Sequence, residues 1–192
     1  TAGQSNIQNW EDGVETSAPS GRSGLRGIIS TYTSANCPGE VLQIHAAEGG
    51  SAIFKIVNTS EYWLEDNGTP GPELIQFFQS VDITGLQPDF ILWDQGESEC
   101  HHIDNVSSPH YPQVTRATYK AQLKRVFQHM RNRYPLAQIL IQKLGVRTAS
   151  FTNTGGIQTI AEIQQELMDE LDYVDFLSER FDLALYSDGV HY

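Results

Sequence analysis

A chain of 192 residues, 39% hydrophobic and 19% charged, has the size of one α/β domain and can bury roughly 70% of the surface its unfolded form exposes. Its 12 Lys and Arg against 24 Asp and Glu leave a formal charge of −12, which repels phosphate backbones and anionic headgroups and argues against nucleic-acid and membrane-surface partners. The longest apolar runs, such as Ile139-Leu140-Ile141, fall far short of the ~20 residues a bilayer-crossing helix needs, and no charged-then-apolar signal segment opens the chain, so a soluble form with any export signal removed is expected.

The segment before the first polar cluster, Thr1-Ala2-Gly3-Gln4, is too short for a full strand. Val41–Ala47 reads as a strand that ends at Gly49-Gly50, and Pro72–Ser80 as a short helix with proline in its first turn. Phe90-Ile91-Leu92-Trp93 is a continuous apolar run closed by polar residues, the pattern of a parallel strand buried on both faces. Thr115–Tyr134 carries Tyr119, Leu123, Val126, Phe127 and Met130 at three- and four-residue spacing, with Pro135 beyond its end, and predicts an amphipathic helix. Ile139–Leu144 reads as a strand, Ile157–Leu171 as a helix through Ile160, Ile163, Leu167 and Leu171, and Tyr173–Leu177 as a strand. Without internal repeats, this alternation predicts a parallel sheet with helices on both faces.

In such sheets ligands bind outside the carboxyl ends of the strands, so the polar residues that follow each strand are the candidates for chemistry. They are Gly3-Gln4-Ser5-Asn6, Gly49-Gly50-Ser51, Asp94-Gln95-Gly96-Glu97-Ser98 and Asp188-Gly189-Val190-His191. Asp188 and His191 are separated by two residues, one of them Gly189, so one turn can set the carboxylate against one imidazole nitrogen and leave the other free. That is half of a hydrolytic triad. Ser5 is the serine best located to be the nucleophile. The backbone N–H of Ser5, a backbone N–H at Gly49-Gly50 and the amide of Gln95 are the candidate donors for an oxyanion.

Each residue also has a plainer reading. Ser5 can cap a helix, Asp188 and His191 can be a turn carboxylate beside an exposed imidazole, and Gln95 can satisfy backbone groups at a strand end. Glu97 is expected to support the site and Asn6 to steady the turn around Ser5. Gly49 and Gly50 are not separable by spacing, and Gly50 is the preferred donor. His101-His102-Ile103-Asp104, with His110 nearby, carries zinc-type ligands but no defined spacing and reads as a solvated loop, so no metal is expected. Asp94, Glu97 and Glu99 sit on one segment, which does not give two carboxylates facing each other across a sugar. Tyr62, Trp63 and Trp10 read either as a sugar-stacking wall or as packing. Cys37 and Cys100 lack metal and redox spacing and are either one disulfide or two buried thiols. Sequons at Asn58, Asn67 and Asn105 carry little weight.

Taken together, four blocks in order resemble the SGNH hydrolases, and within them the carbohydrate acetylesterases similar to sialate O-acetylesterase and carbohydrate esterase family 6. Gly3-Gln4-Ser5-Asn6 resembles the first block with its serine nucleophile. Ala46-Ala47-Glu48-Gly49-Gly50-Ser51 resembles the second, whose glycine offers an oxyanion N–H. Trp93-Asp94-Gln95-Gly96-Glu97-Ser98 resembles the third in its glutamine variant, and Asp188 to His191 the fifth. The resemblance implies a flavodoxin-like three-layer α/β/α fold, a secreted O-acetylesterase acting on a carbohydrate through an acetyl-enzyme, and no cofactor. The G-x-S-x-G elbow of the larger α/β-hydrolase family is absent.

The family's central first strand precedes its serine, whereas here four residues do, and the chain stops one residue after His191, where a terminal helix often follows. The expectation is therefore a single domain lacking its first strand and terminal helix in this chain, as part of a longer chain or with the strand supplied by another segment or by a second copy in a homo-oligomer. The alternative functions are a lipase-like or thioesterase-like SGNH hydrolase, or a carbohydrate-binding module that keeps the fold without turnover.

Overall fold

Apolar runs of four to six residues alternate with amphipathic stretches of two to five turns, so the sequence has strands to pair and helical faces to lay on them. The computed structural model describes residues 2–3, 42, 44, 46–144 and 154–179. In chain order the elements are β1 (Ala2–Gly3), β2 (Ala46–Ala47), β3 (Ala52–Phe54), β4 (Tyr62–Leu64), α1 (Pro72–Asp82), β5 (Phe90–Asp94), a 3₁₀ turn (Glu99–His101), α2 (Arg116–Arg133), β6 (Gln138–Lys143), α3 (Thr154–Glu170) and β7 (Val174–Glu179).

Five strands form one parallel sheet in the order β2-β1-β5-β6-β7, and β3 and β4 form a separate two-stranded parallel sheet. The pair β1 and β2 is short. Among the described residues of the strand expected over Val41–Ala47, Ala46 and Ala47 join the ladder, while Leu42 is 59% exposed and lies outside it. At the amino end, Ala2 and Gly3 occupy an inner place between the edge strand β2 and the central strand β5. The small sheet of β3 and β4 had no signal in the sequence, because three-residue strands are shorter than one alternation pattern can mark.

The helices form where the apolar spacing predicted them. α2 buries Tyr119, Leu123, Val126, Phe127 and Met130, the stripe read from the sequence. Thr115 caps it by accepting the N–H of Thr118, and the Thr118 hydroxyl accepts the N–H of Thr115 in return, which satisfies donors that the first turn leaves unpaired. α1 begins at Pro72, where the missing N–H costs nothing, and buries Leu74, Phe77 and Val81. α3 contributes Ile157, Ile160, Ile163 and Leu167.

These three helices pack against one another. The rings of Phe77 and Phe78 meet Tyr134 at the end of α2, with centroids 6.0 and 5.9 Å apart, and α2 meets α3 through ion pairs of Arg116, Lys120 and Lys124 with Glu162, Glu166 and Glu170. Every crossover they complete, from β2 to β5, β5 to β6 and β6 to β7, moves the same way across the sheet, and right-handed crossovers moving one way put their helices on one face. Ile91, Trp93, Ile139 and Ile141 are buried, with Trp93 edge-on to Phe127 of α2 at 5.4 Å and to Trp63 at 4.8 Å. Phe90, Leu92 and Leu140 alternate to the other face, where Phe90 is 64% exposed and the two leucines are half-buried. The expectation of helices on both faces is therefore narrowed: among the described residues all helices belong to one layer.

Candidate functional site

The register of the sheet brings the sequence blocks together. Gly3 pairs with Ala47 on one side and with Asp94 on the other, so β1, β2 and β5 end side by side at their carboxyl ends. The chain leaves β1 toward Ser5, leaves β2 into Glu48-Gly49-Gly50, and leaves β5 into Gln95-Gly96. Ser5, Asn6, Asp188 and His191 lie outside the described residues.

Gly49 and Gly50 form a turn in which Gly50 adopts φ of +77°, a conformation that favours glycine. The Gly50 carbonyl accepts from the Asn58 amide and the Ser98 hydroxyl, each at 3.1 Å, and the second of these ties the loop after β2 to the loop after β5. The N–H groups of Gly49 and Gly50 have no hydrogen-bond partner among the described residues.

Beyond β5 the chain turns through Gly96 at φ of +141°. A Cβ at this position would meet Ile160 Cγ2 of α3 at 2.8 Å and the Tyr119 hydroxyl at 3.3 Å, so glycine is required by both backbone and space. The turn sends Gln95 inward. Its side chain is fully buried, its Nε2 donates to Glu99 Oε2 at 2.5 Å and its Oε1 accepts from the Tyr119 hydroxyl at 3.1 Å. The second N–H of this amide has no partner among the described residues. The Gln95 main-chain carbonyl accepts from Gln164 of α3 at 3.1 Å, and Gln164 Oε1 accepts the N–H of Leu144 at 3.0 Å, so one buried glutamine holds the ends of β5 and β6 together.

Four acids near these loops are almost entirely enclosed: Asp94 at the end of β5, Glu97 and Glu99 on the segment after it, and Glu73 at the start of α1. Burial pushes Glu99 up to about 7 against the pull of hydrogen bonds from the Gln95 amide and the N–H groups of Ile53 and Phe54. Burial, with the charges of Glu48 and Glu61 added, pushes Glu73 up to about 7 as well. The Tyr119 hydroxyl, enclosed beside Glu99, Glu97 and Cys100, is held well above the usual phenol range.

Two candidates take the plainer reading. Trp63 is fully buried against Trp93, donating its indole N–H to Ser51 at 3.2 Å, and Tyr62 is buried with its hydroxyl on Glu65, so these two are packing and not a sugar-facing wall. Trp10 lies outside the described residues. His102 stacks edge-on against His110 at 4.5 Å and shares a hydrogen bond with Ser108 at 2.9 Å, and no group of three or more His, Cys, Asp or Glu among the described residues is arranged to hold a metal ion. Cys100 is buried and its thiol donates to the Glu97 main-chain carbonyl at 3.0 Å, and Cys37 lies outside the described residues. No helix among the described residues is long and apolar enough to cross a membrane.

Sequence reasoning did not single out Tyr119 or Gln164 for the site and set Glu99 aside as one of three acids on a loop. Tyr119 belonged to an apolar stripe, and Gln164 sat on a helix as any polar residue does. The four-residue spacing of Gln95 and Glu99 gave no sign that both point inward.

Compared with known proteins, the chain matches no family model and no curated protein.

Proposed function

We propose that this protein is a serine esterase that removes O-acetyl groups from a carbohydrate, built as a three-layer α/β/α domain of the SGNH type. The observation that carries this reading is the register of Gly3 with Ala47 and Asp94, which sets the first three blocks of the resemblance at adjacent strand ends. The apolar residues Leu92 and Leu140 on the sheet face away from α1 to α3 support a second covering layer.

Ser5 attacks the acetyl carbonyl while His191 takes its proton, and Asp188 orients the imidazole and balances its positive charge. The oxyanion is held by the N–H groups of Ser5 and Gly50 and by the Gln95 amide. The second N–H of the buried Gln95 amide, without a partner among the described residues, supports this assignment, since a buried donor left unpaired is costly unless a ligand supplies an acceptor, and the Gly50 N–H lies in an exposed turn that a ligand can reach. His191 then gives its proton to the departing sugar hydroxyl. Water, deprotonated by the same imidazole, releases acetate from Ser5.

Acetate release from a panel of acetylated glycans, run for the wild type and Ser5→Ala, tests the reading. A wild type that releases acetate, with kcat reduced on the order of 10⁶-fold in the variant, is the expected result. Equal activity in both removes Ser5 from the mechanism. Binding without turnover in both makes the protein a carbohydrate-binding module, and a preference for long over short acyl chains on model esters makes it a lipase-like or thioesterase-like enzyme.

A further inference from the structure

The amide of Gln95 can lie in its site in two ways, because its oxygen and nitrogen have nearly the same shape. Which way it lies decides whether an N–H or a carbonyl lone pair occupies its free direction. On one side it meets the Tyr119 hydroxyl, which can donate or accept and so does not choose. On the other side it meets Glu99. Glu99 is fully buried in the 3₁₀ turn one helical turn after Gln95, and no basic side chain among the described residues bonds to it. Its Oε1 accepts the N–H of Ile53 in β3, which fixes an oxygen at that end, and its Oε2 then faces the Gln95 amide.

We infer that Glu99 is a positioning residue: its carboxylate, anchored on the Ile53 N–H, orients the Gln95 amide nitrogen-first and so keeps that amide's second N–H available for the oxyanion. This rests on the esterase reading above for its catalytic consequence, though not for the orientation itself. The task needs Glu99 in its ionised form, in which both oxygens accept, so the variants are compared at about pH 8, above the value of about 7 to which burial raises this carboxyl.

The substitution Glu99→Gln separates this role from simple packing. It keeps the shape of the side chain, but the Ile53 N–H still demands an oxygen, so the new amide's NH₂ turns to Gln95. Gln95 must then present its own oxygen there, and its nitrogen rotates to Tyr119, where the hydroxyl accepts. The hydrogen bonds survive and the free N–H is lost from its former direction.

The test combines turnover on an acetyl ester with side-chain amide NMR, for the wild type, Glu99→Gln, Gln95→Ala and the double variant. Glu99→Gln is expected to lower kcat about 10²- to 10³-fold, the effect of losing one oxyanion donor. KM should change far less and the melting temperature should stay close to that of the wild type. Once Gln95 is alanine, adding Glu99→Gln should change kcat no further, since Glu99 then has no amide to orient. The Gln95 NH₂ resonances, assigned by their loss in Gln95→Ala, should move strongly in Glu99→Gln. An activity within about threefold of wild type, or effects that multiply in the double variant, would overturn the catalytic role. If the wild type hydrolyses no ester, the esterase reading falls by itself and the NMR decides the orientation: unmoved Gln95 NH₂ resonances in Glu99→Gln overturn the positioning role.

Discussion

Gln164 of α3 donates to the main-chain carbonyl of Gln95 across 69 residues of sequence, and with its oxygen it accepts the N–H of Leu144. Two backbone groups at the ends of neighbouring parallel strands, beyond the last ladder pair, are thus satisfied by one side chain with no exposed surface. Replacing Gln164 with leucine keeps the bulk and leaves both groups buried without partners, at a cost of about 1–3 kcal/mol for each. Urea denaturation of Gln164→Leu should show a loss of about 2–6 kcal/mol, whereas an unchanged midpoint would mean that water or a backbone shift replaces the amide.

Gly96 should tolerate no side chain. Its φ of +141° and the 2.8 Å approach of Ile160 to a Cβ act together, so Gly96→Ala must move either the turn or α3. A cost of about 2–4 kcal/mol is expected, from an alanine in a conformation essentially reserved for glycine and from overpacking. Because Gln95 precedes this turn, activity at a permissive temperature should fall as well. Ile160→Ala in the Gly96→Ala background should recover part of the stability if the clash dominates, and none if the backbone conformation does.

Glu73 makes stability fall as pH rises. Burial and the charges of Glu48 and Glu61 raise its carboxyl in the folded protein from 4.5 to about 7, so the folded chain holds a proton that the unfolded chain releases. The stability linked to this group is fully present below about 4.5 and is lost as pH climbs through about 7. Glu99 titrates in the same direction over the same window. Glu73→Gln should therefore match the wild type near pH 5 and exceed it in melting temperature near pH 8. Equal differences at the two pH values would show that Glu73 does not change its charge on folding.

The ladder between α2 and α3 should respond to salt. Arg116 bonds Glu162 and Glu166, Lys120 bonds Glu166 and Glu170, and Lys124 bonds Glu170, all on a largely solvated face. Shared partners hold Glu166 and Glu170 below the usual carboxylate range. Glu166→Gln removes one of the two acids that each pair with two cations. It should lower the melting temperature measurably in dilute buffer and much less in 1 M salt, where the screening length falls to about 3 Å. A salt-independent loss would point to packing of the side-chain stem.

The helix stripes were legible in the sequence because they are local. Tyr119, Leu123, Val126, Phe127 and Met130 return to one face of a helix by its own period, whatever the rest of the chain does, and Thr115 and Pro135 bracket the element. The runs at Phe90 and Ile139 were legible for a similar reason, since a strand in the middle of a parallel sheet must be apolar over its length. Alanine pairs such as Ala46-Ala47 carry no such mark. Of the described residues in the strand expected over Val41–Ala47, Ala46 and Ala47 join the ladder, and pairing with Ala2 and Gly3 defines where they run.

What the sequence determined by itself was the set of elements and the polar blocks at their ends, because periodicity and turn chemistry act within a few residues. The tertiary structure alone decided which blocks are neighbours, through the order β2-β1-β5-β6-β7, and turned Trp63 from a possible sugar platform into core. It also decided the state of the Gln95 amide, whose orientation depends on Glu99, Tyr119 and, through Glu99, the N–H of Ile53. A hydrogen bond between residues far apart in sequence has no periodic signature, and the charge of a carboxylate depends on how much water surrounds it, which only the packed chain sets.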